Sequence, residues 1–331
     1  MPDLRVKIGS LTLPNPVLVA AGTFGYGLEF TSAIRLDHLG ALITKTLTAT
    51  PRSGHLPPRL AVTPSGMLNS VGLQNIGLEA FLETKLPQLR RYSVAVIVSV
   101  LGESAKELAE MVGRIDRADG VSGVELNMSC PNLEEGQGTG GGGQGGDSSI
   151  PLPPVSRPLP RLIAQDAEAT AAMVQAARAK TSKLLIAKLS PDVTDLRPIA
   201  RAAERAGADA LSVGNTFIGM SLDPETRRSR LGSLTGGLSG PAIRPLSLYR
   251  VWYTAPVVRI PVIGAGGIVQ AKDAVEYFLA GAKAVAVGTA NFVRPDAARQ
   301  IVHGIERYMI RHKLSAIHEL YGAIDFHSPW P

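Results

Sequence analysis

Short, almost continuously apolar runs recur along the chain, separated by stretches in which apolar residues return every three or four positions. The runs at 17–21, 42–45, 94–100, 124–127, 185–188, 211–213, 262–264 and 284–288 have strand length and little alternation. That pattern predicts strands covered on both faces, as in a parallel sheet. Between them, Ser104-Ala-Lys-Glu107 has capping-box spacing, and Leu108, Met111, Val112 and Ile115 follow on one helical face. Ile199, Ala202 and Ala203 mark a second helix stopped by Gly207, and Ala274, Val275, Phe278 and Leu279 a third stopped by Gly281. Eight strands alternating with helices predict one α/β domain over 1–331. Its form is a (β/α)8 TIM barrel of roughly 250 residues with an N-terminal strand extension. A doubly wound sheet is the other arrangement the alternation allows, but no first-turn glycine fingerprint accompanies it.

Composition narrows the function. Of 331 residues, 45% are hydrophobic and 19% charged, which excludes a disordered chain. A single cysteine excludes an internal disulfide, a thiolate zinc site and a four-cysteine iron–sulfur cluster. No apolar run approaches the ~18 residues of a membrane span, and the first eight residues lack a signal-peptide core, so a cytoplasmic protein is expected. The net charge of +6 suits anionic small molecules, an acidic partner or nucleic acid, and does not choose among them. Six scattered histidines have no ligand spacing, so no protein-bound metal is expected.

One segment stands apart. Residues 136–146 are nearly all Gly and Gln, and half of 151–160 is proline, predicting a flexible-then-stiff loop after the fourth strand. It reads either as an inert surface insertion or, over 133–160, as an active-site lid.

In such a barrel the chemistry sits at the C-terminal strand ends. Those ends carry Lys45, Ser99, Asn127, Lys188, Asn215, the Gly264-Ala-Gly-Gly267 turn and Gly288-Thr289. Backbone N–H groups at Gly266-Gly267 and at Gly288-Thr289 are placed to hold a phosphate, which fits FMN and a sugar phosphate equally. The sharpest motif is Asn127-Met-Ser-Cys-Pro-Asn132: Cys130 follows a strand end between two carboxamides that suit a planar amide-bearing ring. A thiol with a pKa near 8.5 needs only a modest shift to act as a base. Asn69-Ser-Val-Gly-Leu-Gln-Asn75, after strand two, is a second carboxamide-rich loop, although such loops are more often turn chemistry. Lys45 and Lys188 stand out because the chain prefers Arg, and a lysine buried at a strand end needs an anion. Arg227, Arg228 and Arg230 read as a solvated patch.

These residues resemble dihydroorotate dehydrogenase, specifically its class 1, over nearly the whole chain. The resemblance is carried by Asn15-Pro16, Ala21-Gly-Thr-Phe-Gly25, Asn127 to Asn132, Lys188-Leu-Ser-Pro191, Asn215-Thr216, Thr235-Gly-Gly-Leu-Ser-Gly-Pro-Ala-Ile243 and Val287-Gly-Thr-Ala290. It implies oxidation of dihydroorotate to orotate on FMN in pyrimidine biosynthesis, with Cys130 removing the C5 proton while hydride leaves C6 for flavin N5. It further implies that Lys45, Asn69, Ser70, Val71, Gly72, Leu73, Asn127, Asn132, Asn215 and Thr216 surround the substrate. Ala21, Lys45, Thr46, Ser99, Asn127, Lys188 and Gly214 would meet the flavin, with Gly240, Gly266, Gly267, Gly288 and Thr289 toward its ribityl phosphate. The chain departs from the family pattern at Ala21, where Ser is frequent, at Ser99, where Asn is usual, and at Gly214, where a larger apolar residue stands.

The segment 215–223 and the Gly-Gly-Leu-Ser-Gly-Pro run resemble class 1B more than the fumarate-using class 1A. Class 1B implies electrons passed to NAD+ through a subunit carrying FAD and a 2Fe–2S cluster, in a heterotetramer of two catalytic and two electron-transfer subunits around a homodimer core. Rival readings are a tRNA dihydrouridine synthase, a dihydropyrimidine dehydrogenase-like barrel and a non-catalytic barrel. Ser129 before the cysteine and a short tail after strand eight argue against the first, so no nucleic acid is expected. Asn132 argues against the second.

Overall fold

In the computed structural model, which describes residues 1–128 and 163–325, a strand forms at each of the eight apolar runs. They are β1 (Val17–Val19), β2 (Ala41–Ile43), β3 (Ala95–Val100), β4 (Gly123–Asn127), β5 (Leu184–Leu189), β6 (Ala210–Val213), β7 (Val262–Ala265) and β8 (Ala284–Val287). Each pairs in parallel with the next, and β8 pairs with β1, so the sheet closes into a barrel. A closed parallel sheet flanked by helices is the TIM barrel, and the doubly wound alternative is excluded.

Closure explains the unalternating sequence. Outward residues such as Val98, Val124, Leu126, Leu185 and Val285 pack under the helices. Inward residues such as Leu18, Ile43, Ile97, Ile186 and Ile263 fill the barrel. Both sets are apolar because neither face meets water. The helix Ala105–Asp116 begins at Ser104, whose side chain accepts from the Glu107 N–H at 3.1 Å. The Glu107 carboxylate takes the N–H of Glu103 rather than that of Ser104, so the box closes one residue further back. The helices Arg197–Arg205 and Ala271–Leu279 form as the stripes predict.

The N-terminal extension is an antiparallel hairpin, Val6–Ile8 with Leu11–Leu13. Ile8 and Leu13 are buried with Leu184 and Ile186, so the hairpin plugs the barrel at the end where the strands start. At the other end stands a four-stranded antiparallel sheet that the hydrophobic pattern does not predict. Its order is Phe217–Gly219, Gly236–Ser239, Gly66–Asn69, Leu60–Thr63. Asn69, expected in a loop, is the last residue of one of these strands. Cys130, Asn132 and the segment 133–160 lie outside the described residues. Among the described residues, no helix is long and apolar enough to cross a membrane.

Candidate active site

The C-terminal ends of the barrel strands open into a cleft of about 1140 Å3, its mouth included. Lys188, the penultimate residue of β5, points inward with Ile186 and is 6% exposed, yet lines this cleft. No hydrogen bond or ion pair reaches it among the described residues. An ammonium taken out of water is costly without an anion, so Lys188 marks a place for negative charge. Lys45 lies two residues beyond β2 and is held by its backbone N–H on the Gly25 carbonyl at 2.8 Å.

Three carboxamides occupy different walls. Asn127, ending β4, donates through Nδ2 to Thr46 Oγ1 at 2.9 Å. The Thr46 hydroxyl is 3.0 Å from that of Ser99, which donates to Glu125 at 3.0 Å. Asn69 donates to the Gly237 carbonyl at 3.1 Å, tying two strands of the antiparallel sheet. Asn215, just beyond β6, accepts from the Thr216 N–H at 2.9 Å.

The remaining rim is backbone. Gly214 has φ +132°, and a Cβ there would stand 2.0 Å from the Ala265 carbonyl oxygen, so the position admits only glycine. At Gly22 and Gly288 the nearest atoms to such a Cβ are 3.8 Å away, so a ligand can approach the main chain closely. The loop after β7 is braced from behind. Tyr277 donates to the Gly266 carbonyl at 2.7 Å, and burial raises its phenol above the ordinary range, keeping the donor proton in place. Asp273, fully buried and paired with Arg244, accepts the N–H groups of Val269 and Gln270 at 3.0 Å each. Thr289, beyond β8, donates to Ser239 at 2.8 Å and joins the barrel rim to the antiparallel sheet.

A sequence model of dihydroorotate dehydrogenase matches residues 3–143 and 154–309. The chain belongs to the dihydroorotate dehydrogenase family. It is 46% identical over 324 residues to the "dihydroorotate dehydrogenase B (NAD(+)), catalytic subunit" of Trichlorobacter lovleyi, covering 98% of this chain and 99% of that protein. The proteins of the same name from Geotalea daltonii and Thermodesulfovibrio yellowstonii are 46% and 44% identical over 323 residues. Each match covers 98% of this chain, with 98% and 99% of the respective relative. The family is one of oxidoreductases, and the scaffold reading of the barrel is set aside.

Most of the dihydroorotate dehydrogenase site expected from sequence converges on this one cleft. Lys45, Thr46, Asn127 and Lys188 form its floor, and Ala21, Gly288 and Thr289 one side. Asn69, Val71, Leu73, Asn215 and Thr216 line it as well, together with Gly214, Gly240, Gly266 and Gly267. Three expected residues stand back from it. Ser99 is fully buried beneath Thr46. Ser70 turns its hydroxyl to His55 and Ser233, at 2.7 and 2.5 Å. Gly72 packs against His55.

Sequence reasoning missed Leu60, Met67, Ser239 and Phe292, which also line the cleft. The first three belong to the unexpected sheet, whose strands are three or four residues long and set among Pro and Gly, leaving no periodic signal.

Proposed function

We propose that this chain is the catalytic subunit of an NAD+-linked dihydroorotate dehydrogenase, oxidising (S)-dihydroorotate to orotate on FMN in pyrimidine biosynthesis. One observation carries the reading. Lys188, buried and without a partner among the described residues, faces a cleft walled by carboxamides, in a chain the family matches almost end to end.

The residues present suit FMN. The open backbone at Gly288, with Gly240, Gly266, Gly267 and Thr289, would take its phosphate end, and the loop there is already braced by Tyr277 and Asp273. Lys45, Thr46, Asn127 and Lys188 would meet its ring. When bound, FMN supplies a hydride acceptor. The protein's part is to orient the substrate and manage one proton. Asn69, Asn127, Asn215 and Thr216, with Asn132, would read the ring amides of dihydroorotate through paired donors and acceptors. Lys45 would face its carboxylate. Cys130 Sγ would take the C5 proton, and Lys188 would keep positive charge where electron density arrives.

The relatives' designation as catalytic subunits of an NAD(+) enzyme supports a second subunit. With one cysteine, this chain cannot ligate a 2Fe–2S cluster, so the cluster and FAD are assigned to that subunit. The assembly proposed is two catalytic and two electron-transfer subunits around a homodimer of this chain.

The test is anaerobic single-turnover reduction of the purified, FMN-loaded chain by dihydroorotate, with uracil, dihydrouracil and tRNA as controls. Rapid bleaching by dihydroorotate alone is expected, with NAD+ reduction appearing only when the electron-transfer subunit is added. No bleaching overturns the substrate assignment. Efficient turnover of the isolated chain with fumarate or NAD+ overturns the acceptor assignment.

A further inference from the structure

We propose that Glu125 is a positioning residue whose carboxylate sets the direction of a buried hydrogen-bond chain and thereby orients the Asn127 amide in the cleft. The identity of the ligand affected rests on the function proposed above; the direction of the chain does not.

Glu125 sits on β4 two residues before Asn127, on the same inward face, and is 1% exposed. Its register partner on β5 is Ile186, an aliphatic residue, so packing at this level does not call for a carboxylate. Burying one is costly. Among the described residues, Ser99 is the group that donates to it.

The proton count then fixes the rest. A hydroxyl has one proton, and a carboxylate only accepts. Ser99 gives its proton to Glu125 at 3.0 Å. The 3.0 Å contact between the Ser99 and Thr46 hydroxyls must therefore use the proton of Thr46. Thr46 has none left for Asn127, so the 2.9 Å contact between them requires Asn127 to donate through Nδ2. An amide whose nitrogen is fixed has its oxygen fixed on the opposite side of Cγ. Donors thus run in one direction, from the cleft floor to Glu125, through three side chains that are themselves buried. With an apolar residue at 125, both hydroxyl protons are free to point the other way, and this chain no longer holds the amide against turning over. Asn127 would then offer a donor where it had offered an acceptor. Discrimination in favour of a ring bearing N–H groups would fall.

The experiment compares Glu125→Leu, Glu125→Gln and Ser99→Ala with the FMN-loaded wild type. Orotate affinity is read from perturbation of the flavin absorbance, and dihydroorotate oxidation is split into KM and the saturating single-turnover rate. Loss of one hydrogen-bond orientation corresponds to about tenfold. Glu125→Leu should weaken orotate binding and raise KM about tenfold, while the saturating rate changes less than about threefold. Ser99→Ala, which cuts the chain with Glu125 in place, should weaken orotate binding equally, and the double variant no further, because the two act through one path. Glu125→Gln keeps the shape and should give a smaller shift, which serves if Glu125→Leu does not fold.

A second readout is independent of the ligand. The side-chain amide protons of Asn127, assigned by their loss in Asn127→Asp, should exchange slowly in the wild type and lose protection in the Glu125 variants. Additive effects of the two substitutions, a lowered saturating rate with KM unchanged, or unaltered amide protection would each overturn the proposal. A wild type that binds no orotate yet shows the protection change would overturn the functional reading and leave this one standing.

Discussion

β5 begins at Leu184, which packs on the N-terminal hairpin, passes through Ile186 in the middle of the barrel, and presents Lys188 to the cleft. β4 repeats the gradient along its inward face with Gly123, Glu125 and Asn127, and β3 with Ile97 and Ser99. The two ends of the barrel are thus two or four residues apart on the same strands, yet one is an apolar plug and the other a polar rim. At the lower end the few charged groups serve the backbone: Asp209 accepts the Leu185 N–H at 2.8 Å and pairs with Arg178 at 2.8 Å. At the upper end Lys188 has no such partner among the described residues. The aliphatic layers exclude water from below, so charges and amides above can act in a low dielectric. Stability is concentrated at one end, and a stability cost is accepted at the other.

This contrast can be broken from either side. The largest effect expected is that of Cys130→Ala, which should slow flavin reduction by ~10²–10⁴-fold, the contribution of a positioned base, with the melting temperature unchanged. Near-normal stopped-flow reduction by dihydroorotate would remove Cys130 from that role. At mid-barrel, Ile186→Ala should lower unfolding stability by about 2–5 kcal/mol in denaturant titration, because a closed aliphatic layer cannot collapse around the cavity. Lys188→Met should do the reverse. Replacing a buried cation that has no partner among the described residues by an apolar chain of similar length should raise the melting temperature of the flavin-free protein, while FMN binds roughly 10–100-fold more weakly by fluorescence titration. A destabilised Lys188→Met apoprotein would show that the lysine is structural.

The smallest effect concerns Asp192, beyond β5, which accepts the Ile218 N–H at 3.2 Å. Partial burial raises its pKa from the ordinary 3.8, only partly offset by that hydrogen bond. A carboxyl raised in the folded state binds more protons there than in the unfolded chain, so it costs stability as pH rises from about 3.8 through its higher folded value. Asp192→Asn keeps the acceptor for Ile218 and should gain under about 2 °C in melting temperature at pH 7, with the gain vanishing at pH 3. An equal gain at both pH values would point to packing instead.

The barrel was legible in the sequence because closure imposes a rule on every strand: both faces largely apolar, three to six residues, then a glycine or polar end. The floor and rim of the site were legible for the same reason, since Lys188 or Asn127 at a strand end breaks an otherwise apolar run. Ser99 breaks β3 in the same way, but its hydroxyl turns sideways to Glu125, its register partner on β4, instead of into the cleft. Position along a strand tells which face a residue shares, not which neighbour takes its proton. Glu125 is a single polar residue inside a strand, and its meaning appears only when Ser99 and Thr46 arrive from β3 and the segment after β2. The antiparallel sheet left no periodic trace at all. Its strands are too short, and its glycines are there for close contact: a Cβ on Gly237 would stand 2.1 Å from Thr216 Oγ1.

That sheet also has a consequence for how the molecule assembles. Its strands come from residues 60–69, 217–219 and 236–239, and Gly237 pairs with Asn69 across 168 positions of chain. The hairpin of Leu60–Thr63 and Gly66–Asn69 is local, but it cannot complete such a wall, because closing so long a loop gives no return until the barrel strands between have already met. The wall is therefore a late event in folding, and the ability to bind a ligand between Asn69 and Lys188 reports that the whole ring of strands is complete. A nascent or partly folded chain would hold its helices and hairpin and still present no site.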